Sequence, residues 1–251
     1  MEQQRTARES EAGVGRFFGD RPVGLEGLAN GNGKHRLGHT LRQKVLPTTE
    51  RINKTYQAYS PVYDLIFGKV FESGRHVSLE LLDPKPGDVV LDAGVGTGLN
   101  LPLFPSYCKV VGIDLCAPMI RRAKDRAQQE GLEQVDFGLM DMQHLALADN
   151  SVDAVVSLYA ISVVPDPVAA IREFKRVCKP GGKIVITNHF KSEHKVVGRV
   201  EELIATGATF LGFETDVCWE KLLRDAELVP RRVEKVNILN LSRAILCINP
   251  K

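Results

Sequence analysis

Residues 92–98, Asp92-Ala93-Gly94-Val95-Gly96-Thr97-Gly98, constrain the fold of this chain more than any other stretch. The apolar run Val89-Val90-Leu91 leads into them, and Leu99-Asn100-Leu101 follows. The pattern predicts a buried strand, a tight glycine turn and a helix start. Glycine at such a turn accepts positive φ and lets the backbone approach a ligand closely. A helix N-terminus behind the turn favours the negative end of that ligand. Many nucleotide sites and ordinary turns share a G-x-G-x-G, so the downstream residues decide what the turn holds.

Val110-Val111-Gly112-Ile113-Asp114-Leu115 reads as a second apolar strand ending in an acid. A carboxylate there can accept both ribose hydroxyls of a nucleoside. A third strand, 135–140, ends in Asp141-Met142, where the acid can accept from an adenine amine and the next N–H can donate to a ring nitrogen. A fourth strand, 151–158, precedes Tyr159, and Pro165-Asp166-Pro167 opens a helix. Lys179-Pro180-Gly181-Gly182 closes that helix and turns into a fifth strand, 183–188. Five strands with four intervening helical segments, the third of them short, predict a parallel sheet covered by helices on both faces. Farther on, 216–226 reads as a helix, and 231–238 and 242–249 as a closing hairpin.

With 251 residues the chain can bury one full core. Residues 1–45 carry eight glycines between positions 13 and 38 and no sustained period, which predicts a disordered tail. Helices over 49–59 and 62–71 make 46–85 an N-terminal helical lid. Residues 86–251 form the main domain, with an insertion near 191–215. The formal charge of +2 argues against a large nucleic-acid footprint. No run reaches the roughly 18–20 apolar residues of a membrane span, and 1–45 lack the apolar core of a signal peptide. The five cysteines, Cys108, Cys116, Cys178, Cys218 and Cys247, show no C-x-x-C spacing. They suit a reducing, cytoplasmic setting and no metal site.

The ordered motifs DAGVGTG, GIDL, LMD, Ser157-Leu158-Tyr159 and KPGG resemble those of class I S-adenosylmethionine-dependent methyltransferases over roughly residues 56–249. Dehydrogenases share the first turn but prefer G-x-G-x-x-G, and Leu99 stands at that later position. The resemblance implies a Rossmann-like α/β fold: a mostly parallel seven-stranded sheet, helices on both faces, and a C-terminal antiparallel hairpin. It implies S-adenosylmethionine as cofactor and S-adenosylhomocysteine as product. Asp92, Gly94, Gly96 and Gly98 would surround the methionine end, Asp114 and Leu115 the ribose, and Asp141 and Met142 the adenine, with Ser157 also at the cofactor.

The acceptor needs other signals. After the fourth strand there is no Asn/Asp-Pro-Pro-aromatic and no catalytic Pro-Cys, which sets nucleic-acid methylation aside. The segment 56–71, with Tyr56, Tyr59 and Tyr63, the segment 159–167, and Asn188-His189-Phe190 together resemble soluble bacterial phosphatidylethanolamine N-methyltransferases. That resemblance implies a phospholipid acceptor and its mono- and dimethylated intermediates. A small-molecule or quinone methyltransferase, and a non-catalytic cofactor-binding adaptor, stand beside it as alternatives.

Tyrosine faces attract a sulfonium or an ammonium, so Tyr56 and Tyr63 are candidate catalytic residues, against a reading in which they only pack. An alkylammonium with a pKa near 10.4 leaves the neutral amine disfavoured by roughly 4 kcal/mol at pH 7. An imidazole as a side-chain type titrates near neutrality, so His189 is the first candidate for general base, with Tyr63 and Asp64 behind it. Equally, His189 can be a structural histidine. Lys191, His194, Lys195 and Arg199, followed by Leu203, Ile204, Phe210, Leu211 and Phe213, suit peripheral binding to an anionic membrane surface. An insertion packing on the sheet accounts for the apolar half equally well.

Overall fold

The computed structural model describes residues 71–189, 218–237 and 242–250. Its elements run α1 (Glu72–Leu82), β1 (Val89–Ala93), β2 (Lys109–Asp114), α2 (Ala117–Gln129), β3 (Val135–Leu139), β4 (Val152–Leu158), α3 (Pro167–Val177), β5 (Cys178–His189), α4 (Trp219–Asp225), β6 (Pro230–Val236) and β7 (Ser242–Ile248). Short 3-10 turns occupy Leu101–Leu103 and Ile161–Val163. The strands form a seven-stranded sheet in the order β3-β2-β1-β4-β5-β7-β6. β1 through β5 pair in parallel, and β7 lies antiparallel between β5 and β6. This is the Rossmann-like sheet with a closing hairpin that the sequence predicts.

Alternation along the central strands sorts the core into two layers. Leu91, Val111, Ile113, Val155, Ile184 and Ile186 face one side, with Ile171 and Phe174 of α3 and Leu222 and Leu223 of α4. Val90, Val110, Ala154, Val156 and Val185 face the other, with Leu79 and Leu82 of α1 and Ile120 and Ala123 of α2. Such strands read as continuous apolar runs because both faces are covered. Among the described residues no helix is long and apolar enough to cross a membrane.

Two of the four helical segments expected between the first five strands are not α-helices. The glycine turn leads into turns and one 3-10 turn, not a helix start. Pro102 and Pro105 supply no N–H there, and a helix cannot propagate through them. The helix dipole invoked for the glycine turn is therefore absent from it. Between β3 and β4, residues 140–151 carry no helix either. Side chains of α3 take over the backbone bonding: the Leu145 N–H donates to Glu173 Oε2 at 2.7 Å, while Arg176 donates to the carbonyls of Leu145 and Leu147 and to Asp149. Leu145 and Leu147 anchor the segment in the core.

The Lys179-Pro180-Gly181-Gly182 turn lies inside the irregular start of β5, where the pairing with β4 slips. Gly181 takes φ +75. Asn249, almost wholly buried, holds this turn from the far end of the chain. Its Nδ2 donates to the carbonyls of Lys175, Cys178 and Lys179 at 2.9, 2.7 and 3.3 Å, and its backbone exchanges bonds with Gly181 and Gly182. The expected tail, the helices over 49–59 and 62–71, and the insertion near 191–215 lie outside the described residues.

Asn249→Ala strips the donor from the buried Cys178 carbonyl and the half-buried Lys175 and Lys179 carbonyls, and we expect a loss of about 1–3 kcal/mol. It should appear as a lower urea midpoint with an unchanged slope.

Candidate functional site

A cleft of about 220 Å³ opens at the C-terminal ends of β1, β2 and β4. β1 and β4 are neighbours near the middle of the strand order, and the chain leaves them in opposite directions across the sheet, the usual place for a ligand in such folds. The glycine turn forms one wall. Gly94 takes φ +87 and passes Ala160 so closely that a Cβ would overlap it. A Cβ on Gly96 would instead meet nothing within 4 Å. The Gly94 and Val95 N–H groups both donate to the Ile113 carbonyl, which pins the turn against β2.

Asp114 ends β2 in the cleft wall. Its Oδ2 accepts from the Gly96 N–H at 3.0 Å and its Oδ1 from the Cys116 N–H at 2.8 Å. Burial raises its carboxyl above the usual range, and these two backbone donors pull it back. Leu115 beside it leaves an apolar side chain 45% exposed on the same wall. Asp141 and Met142 close the cleft from the end of β3, where Gln143 donates to Asp141 from its backbone and its side-chain amide. Gly94, Gly96, Asp114, Leu115, Asp141 and Met142 thus come together on one cleft.

The other expected residues stand elsewhere. Asp92 lies behind the glycine turn, with no exposure at all. Asn100 Nδ2 donates to its Oδ2 at 3.3 Å, and its Oδ1 has no partner. Burial pushes this carboxyl up to about 7. Gly98, at φ +82, packs against Ala123 and Leu101. Ser157 is buried and its hydroxyl donates to the Ala93 carbonyl at 2.9 Å, so it ties β4 to β1 instead of lining the cleft. His189 ends β5, off the cleft wall, with Nδ1 3.1 Å from Ser242 Oγ. Burial first, and then Arg243, lower its pKa. Tyr56, Tyr63 and Asp64 lie outside the described residues.

One cluster was not legible as a site in the sequence. Phe71, Arg75 and Tyr159 line the cleft together. The Phe71 and Tyr159 rings stack with centroids 4.4 Å apart, and the Arg75 guanidinium lies 5.9 Å from the Tyr159 ring centre. Tyr159 adopts φ +59, a costly conformation for an aromatic residue. Its N–H donates to the Thr187 carbonyl at 2.7 Å and its hydroxyl accepts from Asn237 at 2.9 Å. Burial pushes the phenol up to about 12, so it stays protonated at neutral pH. Among the described residues no cluster of His, Cys, Asp and Glu could hold a metal ion.

Known proteins match this architecture. A family profile described as a methyltransferase domain fits residues 91–186. A phosphatidylethanolamine N-methyltransferase of Cereibacter sphaeroides is 36% identical over 180 residues, which is 71% of this chain and 88% of that protein. A SAM-dependent methyltransferase of Aquifex aeolicus superposes with a TM-score of 0.58 at 22% identity, covering 78% of this chain and 97% of that one. A Haemonchus contortus phospholethanolamine N-methyltransferase 2, solved with phosphomonomethylethanolamine and S-adenosylhomocysteine, gives 0.64 at 18% identity, over 80% and 60% of the two chains. At those identities the two structures speak for the fold.

The raised Asp92 carboxyl makes a pH prediction. Between the ordinary value of 3.8 and about 7, the folded chain keeps a proton that the unfolded chain has released. Stability therefore falls as pH rises through that window. Asp92→Asn cannot titrate, so its stability relative to the wild type should improve by about 4 kcal/mol between pH 4 and pH 8. Urea unfolding at both pH values measures it, and a pH-independent difference would place a normal carboxyl at this position.

Proposed function

Because this chain belongs to the class I S-adenosylmethionine-dependent methyltransferases, we propose that it methylates the amine of phosphatidylethanolamine and of the partly methylated products, towards phosphatidylcholine. The observation that carries this reading is the 36% identity to a phosphatidylethanolamine N-methyltransferase over 88% of that protein.

The residues present suit the cofactor. Asp92 Oδ1 is a buried acceptor without a partner, behind the turn assigned to the methionine end. Asp114 accepts backbone donors on both oxygens, and a carboxylate's remaining lone pairs can accept a ribose hydroxyl. Leu115 offers an apolar face, and Asp141 with the Met142 N–H an adenine edge. Gly94 and Gly96 keep that wall free of side chains, and Gly98 lets α2 pack behind it. When bound, the cofactor supplies a methyl group already activated on a sulfonium.

The chain's own work is placement and exclusion of water. The stacked Phe71 and Tyr159 rings present an aromatic wall to the cleft. Tyr56 and Tyr63, on the segment before α1, are proposed to fold over the methionine end and the acceptor amine, with His189 on the acceptor side. The methyltransferase domain is proposed for 86–251 and the lid for 46–85, of which α1 packs Leu79 and Leu82 into the core of the sheet, so the covering role falls to the residues before α1. The acceptor lies in a bilayer, so we place the enzyme peripherally on an anionic cytoplasmic membrane face. All five cysteines are free, which suits a reducing compartment. The basic stretch Lys191, Lys195 and Arg199 is the proposed electrostatic contact, at about 1 kcal/mol for each residue near the surface.

Vesicles containing phosphatidylethanolamine and phosphatidylglycerol, with radiolabelled S-adenosylmethionine, test the acceptor. Label should enter the mono-, di- and trimethylated lipids; label reaching only quinones or other small acceptors would replace the lipid reading. Asp114→Ala should weaken S-adenosylmethionine binding by about 1–3 kcal/mol in calorimetry. Lys195→Glu with Arg199→Glu should reduce vesicle flotation and lipid turnover together at low salt, and equal flotation on neutral vesicles would remove the electrostatic contact.

A further inference from the structure

Asn237 stands one residue past β6 with φ +67, a conformation that asparagine tolerates. Its Oδ1 accepts from the Gly74 N–H at 2.9 Å and from Ser73 Oγ at 3.2 Å. A backbone N–H can only donate, so this bond fixes which way the amide points. Nδ2 is then a double donor, to the Tyr159 hydroxyl at 2.9 Å and to Ser242 Oγ at 3.0 Å. Ser242 is fully buried, and its oxygen already accepts from Asn237. Among the described residues one acceptor is within reach of its own proton: His189 Nδ1, at 3.1 Å. A buried hydroxyl proton left without an acceptor is costly. Ser242 therefore donates, Nδ1 accepts, and the ring proton of His189 sits on Nε2.

A neutral imidazole in that tautomer offers Nε2–H as a donor and has no lone pair left on Nε2 to take a proton. We propose that Asn237 and Ser242 are positioning residues that hold His189 as an Nε2–H donor to a phosphodiester oxygen of the lipid acceptor, instead of leaving it as base for the amine. The inference rests on the phospholipid reading above. Placement supports it: His189 lies two residues beyond Thr187, whose carbonyl holds Tyr159 on the cleft wall. The headgroup phosphate sits one ethylene link from the amine, so a donor beside the cleft suits it. Burial and Arg243 both disfavour the imidazolium, which keeps the ring in this neutral state.

Asn237→Asp inverts the network with almost no change in size. The introduced carboxylate still accepts from Gly74 and Ser73 but cannot donate to Ser242. The serine proton then turns to it, and Nδ1 of His189 must carry a proton to donate to Ser242. Two-bond nitrogen–proton spectra of the full-length protein, labelled at histidine and assigned by the loss of signals in His189→Gln, read this directly. The expected result is a proton on Nε2 in the wild type and on Nδ1 in Asn237→Asp. Should Asn237→Asp not fold, Ser242→Ala serves, with a mixture of tautomers expected. A wild-type proton on Nδ1, or a pattern unmoved by either variant, overturns the inference and leaves the acceptor reading standing.

Kinetics on phosphatidylethanolamine vesicles supply the second readout. Losing a general base costs about 10²–10⁴-fold. Glutamine can present an N–H near the Nε2 position, so His189→Gln should stay within about tenfold of wild type and lose less than His189→Asn, in line with one hydrogen bond. A loss of 10²-fold or more in both variants returns His189 to the base role. Absence of any lipid methylation sinks the acceptor reading, and the spectra still report the tautomer.

Discussion

The cleft depends on one close approach. Gly94 leaves β1 with φ +87 and passes Ala160, at the end of β4, with no room for a methyl group between them. Strands β1 and β4 are neighbours in parallel register, yet the chain leaves them towards opposite edges of the sheet. A parallel sheet splits its loops at such a point and leaves a crevice. Gly94 lets the two loops touch at the floor of that crevice while the walls stay apart. Asp114 then ties the turn to β2 through the Gly96 N–H.

A buried acid behind that floor works against stability. Asp92 has no exposure, one oxygen without a partner, and a carboxyl pushed up to about 7. An uncompensated buried acid destabilises a fold. A cationic ligand group would relieve it, which makes sense of its place behind a turn assigned to the methionine end of the cofactor. Ser157, by contrast, has settled its hydroxyl on the Ala93 carbonyl, and its work is to join β4 to β1.

Local patterns in the sequence carried the strands and the two acids that line the cleft. Val89 to Ala93, Lys109 to Asp114 and Val152 to Leu158 are short apolar runs bounded by turns, and Asp114 and Asp141 follow from their places at strand ends. Helices in the crossovers were less legible. Glycines and apolar residues after β1 suggested a helix, but Pro102 and Pro105 govern that segment. Between β3 and β4, Arg176 and Glu173 supply from α3 the bonds a helix would have made, a tertiary solution no local window contains. The aromatic and amide cluster was hidden for the same reason. Tyr159 and Asn237 are 78 positions apart and Gly74 and Asn237 are 163 apart, and nothing periodic links them.

Gly74 completes that cluster from α1. A Cβ there would overlap the Tyr159 hydroxyl and crowd Asn237 Oδ1. Tyr159 keeps its left-handed backbone while Asn237 anchors its hydroxyl, and Asn237 is oriented by the Gly74 N–H. Each residue is therefore the condition for the next. A larger residue at 74 displaces the ring, a smaller one at 159 removes the reason for the glycine, and a change at 237 releases both. Divergence in this corner has to proceed by joint replacement: among descendants of one ancestor, the occupants of 74, 159 and 237 should be inherited as a set and exchanged as a set.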